Sequence, residues 1–270
     1  MKRVFWLLGG LGAIYLTICL GMFFMEPRLL YHPPQVDRRA LHEDAVAFGA
    51  TELTVTTEDG LPLYGWRHGA GDTLIIIFSG NAATVGGWTP RYTRLADAGF
   101  AVLHVNYRGF PGSTGEPSQA GMERDARAVW AEALKTHSPE NIVVYGKSMG
   151  GGVAVGLLAS LVAQPKALVL ESTFTSAADV GSDSYPWLPV RLLMRNPYPS
   201  LARAGSIQSP TLLLHGTDDE VISSSHSERL HAALGTSTLL LLDGLTHNDD
   251  LLSEPAAWEA MMVLLNPPLN

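Results

Sequence analysis

The sequence predicts an α/β fold, a mostly parallel central sheet with helices on both faces. Three observations carry that expectation. Six runs, DTLIIIFSG, AVLHVNYRG, NIVVYG, KALVLES, PTLLLHG and STLLLLDG, are apolar over strand length. They are too continuous for strands wetted on one side and suit strands buried on both faces. Longer amphipathic segments separate them, at 84–98, 119–137, 149–163, 223–234 and 253–265. A parallel pair needs such a crossover, so the strand–helix–strand rhythm reads as one parallel sheet. Finally, 270 residues with 46% hydrophobic and 16% charged side chains can build a sizeable core and are not disordered.

The N-terminal end is different in kind. Val4 to Met25 carries no charge over 22 positions. At about 1.5 Å per residue, a helix of that length covers a hydrocarbon core of roughly 30 Å. It is longer than the apolar part of a usual signal peptide, and no small-x-small cleavage site follows it. An uncleaved membrane anchor over 1–28 is the expectation; a cleaved signal is the alternative. Lys2 and Arg3 favour a cytoplasmic N-terminus and place the rest of the chain on the outer side, although Arg28, Arg38 and Arg39 weigh against it. Cys19 is the single cysteine, so no intrachain disulfide forms. A net charge of −8 without a basic cluster excludes nucleic acid as a partner.

Residues 29–50 read as a proline-rich tether without clear periodicity, and 51–270 as the folded domain. TELTVTT and LPLYGWRH flank Asp59-Gly60, a hairpin signal. Between KALVLES and PTLLLHG the rhythm breaks. The segment at about 176–205 contains YPWLPVRLLMRNPYP, rich in proline and large apolar side chains. It is either a packed crossover or a short cap, over an apolar pocket or touching the membrane.

The chemistry centres on Gly146-Lys147-Ser148-Met149-Gly150, a G-x-S-x-G pentapeptide with a strand before it and a helix after it. In that sharp turn the serine is held strained with its hydroxyl above the sheet, and glycines are needed where side chains would collide. A phosphate-binding loop would need glycine five residues before Gly146, where Asn141 stands. A serine hydroxyl is a weak nucleophile and needs a base, which needs an orienting acid. In this architecture acid and base follow the serine at the ends of later strands. Asp219 ends the TLLLHG strand within Thr217-Asp218-Asp219-Glu220, and His247 follows STLLLLDG. Asp219 is preferred to Asp218 and Glu220, and Glu171 at the end of KALVLES is a rival acid. Ser253 is placed to cap the last helix. Backbone N–H groups of Met149 and of Asn81, in the loop after LIIIFSG, are the candidate oxyanion donors. No metal cluster or dinucleotide fingerprint is visible, so no cofactor or metal is expected.

The combination resembles the α/β-hydrolase superfamily, and within it the membrane-anchored serine hydrolases of the serine-aminopeptidase or prolyl-oligopeptidase-like type. LLYHPP, FSGNAAT, NYRGFPGSTGEPS, YGKSMGGGVA, ESTFTS, LLLHGTDDEVI and GLTHND carry the likeness over about residues 29 to 250. It implies an α/β-hydrolase fold and acyl hydrolysis on Ser148, Asp219 and His247. The expected substrate is a small-molecule or lipid-like acyl compound, with peptidase activity or a non-catalytic binding scaffold as alternatives. Two positions depart from the family: Ser79-Gly80 stands where His-Gly is common, and Asn106 where aspartate is common. Arg108 is expected to be structural.

Overall fold

In LIIIF, alternate residues serve two different cores. Leu74, Ile76 and Phe78 point into one apolar cluster, and Ile75 and Ile77 into another on the opposite face. All five are buried, which explains the unbroken apolar run. Each such side chain contributes about 1.5–3 kcal/mol of burial.

The structure, a computed structural model, describes residues 2–266, with side chains from residue 3. In chain order the elements are α1 (Lys2–Leu30), α2 (Arg38–Phe48), β1 (Thr51–Thr56), β2 (Pro62–His68), β3 (Leu74–Phe78), α3 (Thr89–Asp97), β4 (Ala101–Val105), α4 (Gln119–Ala133), β5 (Ile142–Lys147), α5 (Met149–Leu158), β6 (Ala167–Glu171), α6 (Ala177–Ser184), α7 (Val190–Leu193), α8 (Ser200–Arg203), β7 (Thr211–Gly216), α9 (Ser225–Ala233), β8 (Ser237–Leu242) and α10 (Pro255–Leu265). The eight strands lie in the order β1-β2-β4-β3-β5-β6-β7-β8. The β1–β2 and β2–β4 pairs are antiparallel; all other pairs are parallel. Helices α4, α5 and α9 pack on one face. Helices α2, α3 and α10 cover the other.

The structure differs from the sequence expectations at three places. Residues 38–48 are helical, not irregular: Asp37 accepts from the Ala40 N–H, Gly49 closes the helix with φ +73°, and Leu41 and Ala45 are buried. Its few apolar positions, among them Leu41, Ala45, Val46 and Phe48, follow a proline-rich stretch and show no clear period. The STLLLLDG run forms β8, a partly exposed strand with only β7 beside it. An apolar run reports hydrophobicity and does not tell an edge from a centre. Ser253 does not cap α10; its hydroxyl donates to the Asp250 carbonyl, and Glu254 stands at the cap.

Helix α1 is long and apolar enough to cross a membrane, with a mean hydropathy of 2.0 and only 6% of its most apolar stretch buried. Its C-terminal half is nevertheless attached. Cys19 and Met22 pack with Leu188, Val190, Leu193 and Met194. Glu26 is buried and accepts from the Asn196 backbone N–H at 3.0 Å and from its side chain at 2.8 and 3.0 Å.

Candidate active site

Ser148 sits between β5 and α5 with φ +52° and ψ −122°, a region side chains other than glycine avoid. The strain is held from several sides. Its N–H donates to the Glu171 carbonyl at 2.8 Å, and its carbonyl accepts from the Gly151 N–H and the Thr173 hydroxyl, both at 2.9 Å. The neighbouring glycines are sterically required. A Cβ on Gly150 would come within 1.9 Å of the Phe78 carbonyl oxygen, and one on Gly146 within 2.6 Å of the Gly150 oxygen.

The loops after β7 and β8 bring two further side chains to this turn. His247 Nε2 lies 3.1 Å from Ser148 Oγ, and its Nδ1 lies 2.8 Å from Asp219 Oδ2. The other Asp219 oxygen accepts from the Val221 and Ile222 N–H groups at 2.9 and 2.8 Å. Burial opposes the Asp219 charge, but His215, His247 and the Ile222 amide outweigh it and hold the carboxyl well below the usual carboxylate range. His215 was not among the site residues read from the sequence. It is buried, with Nε2 3.1 Å from Asp219 Oδ2, so this carboxylate faces two imidazoles.

The site residues Met149 and Asn81 lie close by. Met149 is the first residue of α5. Asn81 lines the cleft over Ser148, its side chain donates to the Leu30 carbonyl at 3.0 Å, and its carbonyl accepts from the His32 N–H at 3.2 Å. Among the described residues, the backbone N–H groups of Met149 and Asn81 donate to no protein acceptor. The two departures from the family pattern are accommodated by polar bonding. The Ser79 hydroxyl lies 3.1 Å from His104 Nε2, and its carbonyl accepts from Tyr107 at 3.0 Å. Asn106 accepts from the Val85 N–H and donates to the Pro111 carbonyl, both at 2.9 Å, a pairing an ionised carboxylate could not make. Arg108 is structural, bonded to Asp125 at 2.9 Å and to Asp59 at 2.9 and 3.1 Å.

The cleft has a volume of about 390 Å³ and is walled by the loops after β3, β5 and β8 and by the start of α3. One wall is a charge cluster that sequence reasoning missed. Glu171 is fully buried and pairs with Arg91 at 2.6 Å and Lys147 at 2.6 Å, and Tyr145 donates to it. Arg91 also reaches Asp250 at 2.7 Å. Thus Glu171, the rival acid, is engaged with cations while Asp219 contacts His247. Burial, reinforced by Arg91, lowers the Lys147 pKa to about 8 against the pull of Asp250, Asp219 and Asp249. Arg91 and Glu171 are 80 residues apart, and no local pattern announces the pair. Among the described residues, no group of three or more His, Cys, Asp or Glu is arranged to hold a metal ion.

A family profile described as serine aminopeptidase, S33, matches residues 69–195. An uncharacterised protein of Mycobacterium tuberculosis is 37% identical over 239 residues, covering 86% of this chain and 84% of that protein. An uncharacterised membrane protein of Saccharomyces cerevisiae is 27% identical over 265 residues, covering 92% and 91%. Among solved structures, a membrane phospholipase A superposes with a TM-score of 0.67 at 19% identity, covering 99% of this chain and 100% of that one. An esterase from Pyrococcus furiosus superposes with a TM-score of 0.65 at 22% identity, covering 87% and 96%. The fold, and the sharp strand-to-helix turn that carries a serine above the parallel sheet, define a hydrolase scaffold. The chain belongs to the α/β-hydrolase superfamily.

Proposed function

We infer that the protein is a membrane-anchored serine hydrolase that cleaves esters of apolar acyl groups through an acyl-enzyme. The observation that carries this is the chain of contacts Ser148 Oγ–His247 Nε2 at 3.1 Å and His247 Nδ1–Asp219 Oδ2 at 2.8 Å. The esterase and phospholipase that share the fold lend it support.

His247 takes the Ser148 proton as the hydroxyl oxygen attacks the acyl carbonyl. Asp219 fixes the His247 tautomer and stabilises the imidazolium. The N–H groups of Met149 and Asn81 receive the oxyanion. His247 then gives its proton to the leaving alkoxide, and the carbon–oxygen bond breaks. In the second half His247 draws a proton from water, whose oxygen attacks the acyl-enzyme; the acyl bond to Ser148 Oγ then breaks, His247 returns the proton to Oγ, and the carboxylic acid leaves.

The family's description favours a peptidase. An aminopeptidase needs an unpaired carboxylate to receive the free amine of its substrate. The carboxylate that lines this cleft, Asp250, is paired with Arg91, and Glu171 behind it is buried against Arg91 and Lys147, which favours a neutral acyl substrate. For topology, Lys2 and Arg3 put the N-terminus in the cytoplasm and the hydrolase on the outer face.

Labelling with a fluorophosphonate tests the mechanism. Wild type is expected to be labelled and Ser148→Ala is not. A folded wild type that takes no label removes the nucleophile from the proposal and leaves a binding scaffold.

A further inference from the structure

A second cavity, of about 400 Å³, lies between α1 and the segment that carries α6 and α7. Met22, Leu29 and Leu30 line it from α1, and Val180, Leu188 and Met194 from the opposite side. The Glu26 carboxylate also faces it but is committed to Asn196. Residues 185–196 run alongside α1 in the same direction, toward its C-terminal end. Asn196 meets Glu26, and the Arg195 guanidinium lies 5.0 Å over the Phe23 ring. Leu188 and Val190 pack on Cys19 and Met22. At the far end the Tyr15 hydroxyl donates to the Trp187 carbonyl at 3.0 Å.

That path has a consequence if α1 spans a bilayer, the reading of α1 on which this inference rests. The uncharged run is bounded by Arg3 and Glu26, about 35 Å apart along a helix, so the whole run is needed to cross a core of roughly 30 Å. Tyr15 stands eleven residues before Glu26, about 16 Å deeper, near the bilayer centre. The tip of the insert is therefore drawn into the same leaflet. Its surface suits that place: Leu192 is 85% exposed, Trp187 57% and Tyr185 48%. The Trp187 carbonyl at the tip has an internal donor, as a polar group in hydrocarbon must. Of the insert's charges, Arg191 pairs with Asp179 at 2.8 Å, its long stem able to carry the head outward, and Asp183, before the tip, accepts a hydrogen bond from His226 Nε2 of α9 at 3.2 Å.

We propose that residues 185–193 are seated in the outer leaflet beside α1, and that the cavity between them takes an acyl chain of a bilayer phospholipid. Leu30 lines the cavity, and its carbonyl accepts from the side chain of Asn81, which lines the cleft over Ser148. This bond links the lipid site to the candidate active site.

The test uses the full-length chain carrying Ser148→Ala and Cys19→Ala, so that hydrolysis does not enter. A single cysteine at Leu8, Leu192 or Val162 carries a fluorophore, in phosphatidylcholine vesicles whose acyl chains bear a nitroxide. Leu8 and Leu192 are expected to be quenched at least fivefold more than Val162, which is fully exposed on the body. Quenching at Leu8 without quenching at Leu192 overturns the proposal and leaves the anchor standing. No quenching at either removes the anchor and the proposal together. A phosphatidylcholine with a diazirine at the acyl end then reports occupancy. Crosslinks are expected within residues 177–194 and to fall at least fivefold in Val180→Trp, which fills the cavity. Should that variant not fold, Ser184→Trp at the exposed rim serves the same purpose. Crosslinks confined to residues 4–14, or unchanged by the filling variants, show the cavity without lipid and overturn the assignment.

Discussion

The cleft over Ser148 and the cavity beside α1 enclose almost the same volume, about 390 and about 400 Å³, and are built in opposite ways. The cleft stands at the C-terminal ends of buried parallel strands. Its walls carry ion pairs and a strained serine whose backbone is pinned by hydrogen bonds. The cavity stands outside the sheet, between one helix and a crossover. Its polar hold is largely one buried carboxylate and one tyrosine hydroxyl. Bond making needs groups fixed to fractions of an ångström, which only a close-packed scaffold supplies. Contact with lipid needs area and apolar character, which a short proline-rich crossover supplies without a rigid base.

That contrast can be broken most directly at the cleft. Ser148→Ala and His247→Ala are each expected to lower kcat on a short-chain ester by on the order of 10³ to 10⁶, and the double variant by little more, because such residues act as a unit. Clearly additive losses in steady-state assays contradict the assignment. Asp219→Asn comes next. It leaves the shape intact but favours the wrong His247 tautomer, and a loss on the order of 10⁴ is expected at neutral pH. If Glu171→Gln proves equally damaging and Asp219→Asn mild, the acid has been misassigned.

The other side of the comparison predicts a stability effect. Glu26→Ala leaves the buried Asn196 amides without their acceptor and should cost about 1–3 kcal/mol. Thermal unfolding in detergent measures it, and an unchanged midpoint would mean that α1 is not held to the body. The last effect is one of pH. Burial lowers the His104 pKa to about 3 from its ordinary 6.5. Below about 6.5 the unfolded chain binds this proton and the folded chain does not. Stability is therefore full above that pH and falls toward pH 3, by at most about 1.4 kcal/mol per pH unit from this group. The Asp219 carboxyl, held below its ordinary 3.8, adds a loss in the same direction only under that value. His226, lowered by burial and by Arg229, adds to the fall in the same window, so urea midpoints between pH 7 and pH 5 are compared with those of His104→Gln. An identical pH profile in that variant contradicts a neutral, buried His104.

Much of this molecule is legible in its sequence. The parallel strands announce themselves because both faces are covered, and the crossovers because helices must fill the space between them. The proximity of Ser148, Asp219 and His247 follows from chain order, since parallel strands present all their C-terminal ends on one side. Features made by distant pairs left no local trace. Arg91 meets Glu171 across 80 residues, and Glu26 meets Asn196 across 170. The α2 helix was hidden by its sparse apolar positions, and the edge position of β8 by its leucines. His215 looked like one more histidine at a strand end, since nothing in TLLLHGTDDEV says which imidazole a carboxylate will face.

The 170-residue separation between Glu26 and Asn196 also sets a schedule. At about 5–20 residues per second, a ribosome needs on the order of ten to thirty seconds to make the chain between them. Throughout that interval α1 exists and the crossover that will clasp it does not. Until then the Glu26 carboxylate lacks its Asn196 partner, and a hydrated charge resists entering hydrocarbon. If α1 spans a bilayer, as proposed, the side chain that later locks the helix to the body first serves as a stop, marking how far the nascent helix can sink before the rest of the protein arrives.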